Sequence, residues 1–409
     1  MLAKLTYEIV FYFLCFFSTT AMLLVDVTPL PLSISMGLFV IAPFIYVKPV
    51  YLIKNLLAHK TMMALTGCFL ALLPSVLYSN NMHYYTERLQ IALPFLLLPF
   101  AFSNAPKLNR KQLYYIVLWL IFQVFIIALL AFINYLLHPA EINQRYLESQ
   151  VMPTILTHHP TYSILVAFSI YAGYFIVSQN KLPLKTRLRN GIWVIVVFLF
   201  IFQHIYSVRI GIIALYALIF LEIGRMVFIK KQFMSAIIVL IVLGSIGGIT
   251  ISLSPTVQNK IKNTQQDLTV IKENANANHH SVAMRMVSYK IALDIFKSNP
   301  LLGCGLGDME DELQQHYSAK YPEMSKRIIP HNMFLFFLAS IGILGTLVFV
   351  LGIFWGFIFN FKTNPHLLNI HYFLVLLYAM VEAATQTQLG VAFVLLPMLI
   401  GNLVHRQTI

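Results

Sequence analysis

The chain alternates long apolar runs with short polar connections. Apolar segments fall near residues 5–25, 30–47, 61–78, 89–102, 113–137, 161–177, 191–206, 210–229, 234–254, 332–359, 371–384 and 389–404. A hydrocarbon core about 30 Å thick needs roughly 20 apolar residues per helix, so the pattern predicts an all-α polytopic protein with about twelve transmembrane helices. The fourth segment is short and contains Pro94 and Pro99, which predicts a kink or an extension into its flanks. The first segment is not followed by a small-residue cleavage site, so it reads as a retained span. One polar stretch, 255–330, interrupts the series. It divides the chain into nine spans over 1–254, a loop over 255–330, and three spans over 331–409.

The loop has its own helical pattern. Val257 to Glu273 reads as a polar helix, followed by a bend through Asn274–His280. Ser281 is a suitable N-cap for a helix ending before Asn299-Pro300. On that helix Val287, Ile291, Ile295 and Phe296 share one face, which predicts contact with the membrane surface or with other helices. Gly303, Gly305 and Gly307 then predict a flexible turn that lets the backbone pack closely, or an anion-binding nest. Asp308 is placed to cap a short acidic helix through about Tyr317, and Pro330 closes the loop.

Composition agrees with a membrane protein: 59% of residues are hydrophobic, 11% are charged, and the mean hydropathy is +0.76. Soluble domains carry roughly a quarter charged residues. A net charge of +13 would suggest nucleic acid in a soluble protein; here the basic residues mark topology. Lys48, Lys54, Lys60, Lys107, Lys185, Arg189 and Lys230 lie in one set of connections, whose partners on the other side hold only Arg88, Arg145 and Arg209 outside the long loop. The positive-inside rule then puts both termini in the cytoplasm and the long loop on the far side. Cys15 and Cys68 lie in spans and Cys304 stands alone in the loop, so no disulfide is expected there and packing must hold the loop together.

Few polar groups are placed for chemistry. Arg209 sits in the very short outer connection Ser207–Gly211, where it is either a snorkelling interfacial cation or a functional one. Arg285 lies near a helix N-terminus, where a cation opposes the macrodipole, so a local structural benefit is not evident. His331 stands where the loop re-enters the membrane and is suited to accept a proton near neutral pH. Glu382 lies late in the eleventh segment, where it serves either to orient a base or substrate or to join helices. His158-His159 and His279-His280 lack partners at metal-ligand spacing, so no metal site is expected. A nucleotide site at the glycine run is excluded, because no strand precedes it and it lies outside the cytoplasm.

In order along the chain, these residues resemble the O-antigen ligase/polymerase superfamily of bacterial envelope glycosyltransferases. The resemblance rests on Arg209 at the outer end of a helix pair, then a large external loop carrying Arg285-Met286-Val287-Ser288-Tyr289 and Asn299-Pro300-Leu301-Leu302-Gly303. The loop closes with Pro330-His331-Asn332-Met333, and Glu382 and Gln388-Leu389-Gly390 follow. Tyr289 departs from the family, which more often has tryptophan there. The motifs cover roughly the second half of the chain.

The resemblance implies a GT-C-like, metal- and cofactor-independent inverting glycosyltransferase in the bacterial inner membrane, with its active site at the periplasmic face. Its donor would be a glycan on undecaprenyl pyrophosphate, with Arg209 and Arg285 gripping the pyrophosphate and His331 as general base. Tyr289, Asn332 and Glu382 would support them. Among members, the lipid A-core:O-antigen ligases fit best, with lipid A-core as acceptor. The alternatives are an O-antigen polymerase, a protein O-oligosaccharyltransferase or, from another class, a lipid or solute transporter. No nucleic-acid partner is implied.

Overall fold

A computed structural model describes residues 2–148, 150–253, 255–272, 278 and 281–404. Among them all regular structure is helical; the one backbone bridge outside the helices joins Leu108 to Val404. Each of the twelve apolar segments is helical. Seven helices are long and apolar enough to cross a membrane, or eight if one bent pair is a single span. The protein is therefore a multi-pass membrane protein.

Departures from the pattern have local causes. Leu30–Tyr46 is followed by a second helix, Pro49–Ala58, bent from it by 120°. Pro49 lacks the N–H that would continue the first helix, while its fixed φ suits the first turn of the second. The fourth segment breaks into Met82–Ala92 and Pro94–Ser103, with the proline starting the second piece. The last two apolar helices, His366–Val381 and Gln388–Asn402, have 16 and 15 residues and rise only about 22–24 Å at 1.5 Å per residue. Between them residues 382–387 leave the α-helical path.

The Met333–Asn360 helix is broken at Gly342, whose φ of +64° and ψ of −172° belong to no helix. Residues 300–305 of the loop cross the break. Cys304 and Gly305 donate their N–H groups to the carbonyls of Ala339 and Ser340 at 2.9 Å, and Ile343 donates back to Pro300 at 2.9 Å. A Cβ on Gly342 would collide with the Leu301 carbonyl, so the crossing requires glycine for both its backbone angle and its lack of a side chain.

The chain forms two compact units, residues 1–116 with 274–409, and residues 117–273. The loop helix Pro255–Lys272 belongs to the second and the loop helix Ser281–Ser298 to the first.

Candidate functional site

The site in the first unit is built from two helix ends and one loop helix. His331 lies in the stretch just before the Met333–Asn360 helix. Asn332 is that helix's N-cap, accepting from the Leu335 N–H at 3.0 Å, while its Nδ2 donates to the Met380 carbonyl at 3.0 Å. Glu382 stands just past the end of His366–Val381, in extended backbone. Arg285 projects from the loop helix Ser281–Ser298, whose buried positions Ala283, Ser288, Ile291, Ala292 and Ile295 form a face with three small residues. The expected apolar face is thus rotated slightly, with Val287 and Phe296 at its margins. The face packs against the Met333–Asn360 helix, and the small residues permit close approach.

These elements bring four groups together. Glu382 is buried and divides its carboxylate: Oε2 lies 2.7 Å from Nδ1 of His331, and Oε1 accepts from Nη2 of Arg285 at 2.8 Å. Arg285 also donates from Nη1 to the Val381 carbonyl at 3.1 Å. Tyr289, one turn further along the loop helix, donates its hydroxyl to the His331 carbonyl at 2.6 Å. Burial raises the Tyr289 pKa, so the phenol stays neutral and remains a donor.

An ionised carboxylate only accepts, so the proton on this side of the imidazole sits on Nδ1. That leaves the lone pair on Nε2, which has no hydrogen-bond partner among the described residues, on a side chain 30% exposed. An imidazole oriented through one nitrogen by a carboxylate, with the other nitrogen open, has the geometry a general base requires. The Arg285 guanidinium, 32% exposed, uses two of its five donors. The others remain for an anion.

Arg209 belongs to the second unit. It begins the Arg209–Gly224 helix, after Ser207 in a left-handed conformation and the extended Val208. Its Nη2 donates to Thr264 Oγ1 at 2.8 Å and lies 3.5 Å from Asp267 Oδ2. Both partners come from the loop helix Pro255–Lys272, which Asn263 fixes through a 2.7 Å bond to the Tyr146 carbonyl.

One loop expectation holds and another needs correction. The glycine run is a turn that lets the backbone pack closely and not an anion nest, because its N–H groups are consumed by Asn299, Ala339, Ser340 and the Ser79 hydroxyl. Asp308 occupies the N-cap position of Met309–Lys320 but makes no cap bond. Its carboxylate instead accepts from the Asn80 and Asn81 N–H groups, each at 2.8 Å, and from Asn80 Nδ2 at 3.0 Å. Tyr78 completes the clasp with a 2.8 Å bond to the Leu302 carbonyl. The half-buried Cys304 thiol has its pKa pushed up to about 12 by desolvation, which suits packing and not reaction. The bend at 274–280 lies outside the described residues except for Asn278, whose side chain bonds the Glu323 carbonyl and the Ser325 N–H.

Arg88 was passed over in the sequence. It lies over the Tyr84 ring and donates to the Gln386 carbonyl at 3.3 Å, four residues from Glu382. It tethers the non-helical segment that presents the carboxylate. A lone arginine in an outer connection gave no sign of this. Among the described residues no three His, Cys, Asp or Glu side chains are grouped to hold a metal ion.

Residues 194–350 match the O-antigen ligase family. That stretch is similar to the O-antigen ligase family and supports placing the chain in the O-antigen ligase superfamily. The matched stretch contains Arg209, Arg285 and His331 and ends before Glu382. A comparison with curated proteins finds no match. The match supports an activity of the O-antigen ligase or polymerase type, in agreement with the multi-pass membrane fold.

Proposed function

We propose that this protein transfers a preassembled glycan from undecaprenyl pyrophosphate to lipid A-core at the periplasmic face of the bacterial inner membrane. The observation that carries the reading is the 2.7 Å contact of His331 Nδ1 with Glu382, which leaves Nε2 as an oriented base. In the step proposed, Nε2 takes the proton of an acceptor hydroxyl as that oxygen bonds to the anomeric carbon. The bond from that carbon to the pyrophosphate oxygen breaks, its electron pair leaves with undecaprenyl pyrophosphate, and configuration inverts. Glu382 stabilises the imidazolium formed. A positioned base typically contributes ~10²–10⁴-fold.

The leaving group concentrates negative charge, which guanidinium donors match. Arg285 is assigned this role through its remaining donors, together with orienting Glu382. Arg209 is assigned a phosphate-binding role on its position in the family pattern. The donor arrives already activated on a lipid, since the cytosol's nucleotide sugars do not reach this face. No metal is assigned a part, and activity is expected to survive excess EDTA; loss restored by one divalent ion would overturn that assignment.

Purified protein given undecaprenyl-pyrophosphate glycan and rough lipopolysaccharide is expected to form capped lipopolysaccharide without lengthening the donor. Growth of the lipid-linked glycan without lipopolysaccharide would make the chain a polymerase. For topology, single cysteines at Ser325 and Lys185, in a background without Cys15, Cys68 and Cys304, are expected to react oppositely with an impermeant thiol reagent from outside. Equal labelling would overturn the orientation.

A further inference from the structure

A cavity of about 680 Å³ opens in the first unit, at the opposite end of the Met333–Asn360 helix from His331. It lies at the shared ends of four apolar helices: the start of Lys60–Leu70 and the ends of Pro94–Ser103, Met333–Asn360 and Gln388–Asn402. These are the ends that carry the chain's excess of lysine. Lys60 and Lys107 line the cavity, and no acidic residue does. Among the described residues neither lysine pairs with a carboxylate. The first turn of the Lys60–Leu70 helix adds the positive end of its dipole. Asn360 contributes an amide, and Phe102, Trp355 and Phe359 supply an apolar and aromatic wall.

We infer that this cavity holds the headgroup of an anionic glycerophospholipid from the leaflet at the basic side of the membrane. The volume falls in the range of small-ligand sites, roughly 300–1,000 Å³. Two lysines without acidic neighbours suit one phosphate. Tryptophan and phenylalanine at a helix end sit at headgroup level and give the glycerol and upper acyl chain a surface to lie on. Basic pockets between transmembrane helices are a recurrent way to hold acidic lipid headgroups. A lipid bound only by the folded state stabilises it by mass action. The inference rests on the spans and not on the transfer chemistry, so either can fail alone.

Native mass spectrometry on the full chain, delipidated in detergent and then given phosphatidylglycerol, phosphatidylethanolamine or inorganic phosphate, tests it. One phosphatidylglycerol per chain is expected to survive desolvation, with phosphatidylethanolamine bound at least tenfold more weakly. Lys60→Gln with Lys107→Gln is expected to abolish the preference, and both changed to arginine to keep it. Lys54→Gln, which changes a lysine outside the cavity, is expected to leave it intact. Lys107→Gln alone changes an exposed loop residue and keeps the test open if the double variant does not fold; it is expected to weaken binding several-fold. Equal binding of the two lipids, no effect of the glutamine variants, or full competition by inorganic phosphate would each overturn the lipid assignment.

Discussion

Two arginines stand in similar settings and differ in what their carboxylates do next. Arg209 and Arg285 each come from a helix start, each is 32% exposed, and each meets a nearly buried carboxylate, Asp267 at 3% and Glu382 at 6%. In the second unit the contact is loose, at 3.5 Å, and a threonine hydroxyl shares the guanidinium. In the first unit it is tight, at 2.8 Å, and the carboxylate's other oxygen holds an imidazole. In the first unit the proposed base and the proposed pyrophosphate binder therefore share one carboxylate. The Arg209 guanidinium has its direction set by Thr264 and Asp267 of a loop helix.

The largest separation between the two regions should come from the imidazole and its carboxylate. His331→Ala is expected to lower turnover by ~10²–10⁴-fold, the range a positioned base supplies, while detergent unfolding temperature stays near wild type. Glu382→Gln loses the charge that orients and stabilises the ring, and turnover should fall by about two orders of magnitude. Asp267→Asn should cost much less. If Asp267→Asn costs as much as Glu382→Gln, the two carboxylates are equivalent and the comparison fails.

Lysine substitutions sharpen the contrast. Arg285→Lys keeps the charge but cannot reach both the Val381 carbonyl and Glu382 while facing a phosphate. A loss of at least tenfold, worth about 1.4 kcal/mol, is expected in single-turnover assays. Arg209→Lys should lose less, because Arg209 reaches both Thr264 and Asp267 from the same terminal nitrogen. Equal behaviour of the two variants would remove the distinction drawn from geometry.

A smaller effect on activity but a clear one on folding should follow from Gly342→Ala. The positive φ and the collision with the Leu301 carbonyl should cost about 1–3 kcal/mol, read as a lower unfolding temperature. The smallest effect concerns Asp294, whose carboxyl pKa is held down chiefly by Lys320 at 2.7 Å. A depressed carboxyl pKa adds stability above the unfolded value, lost as pH falls through the folded value. Asp294→Asn should remove that acid-side loss. The pair is exposed, so the change should stay within about 1 kcal/mol.

The hydrophobic pattern was enough to read the helices, since period and length are local properties. It also gave the loop helices, while Arg285, His331 and Glu382 stood out as polar groups near span ends and in the order of the family's motifs. What it could not give were meetings between distant residues: His331 and Glu382 are 51 positions apart, and Arg285 and Glu382 are 97 apart. Asp308 follows the local rule for a cap, yet two backbone N–H groups 228 and 227 residues away outcompete it. Gly342 reads as one more small residue in an apolar helix. Only the loop crossing at 300–305 shows why a side chain is forbidden there.

The central claim is that His331 acts as the base, and chemical rescue tests it most directly. His331→Ala leaves a space beside Glu382 that free imidazole can enter. The account predicts that added imidazole restores transfer to the purified variant, in proportion to the concentration of its neutral form across pH, and does nothing for His331→Ala with Glu382→Ala. Near wild-type turnover of His331→Ala without imidazole would contradict it.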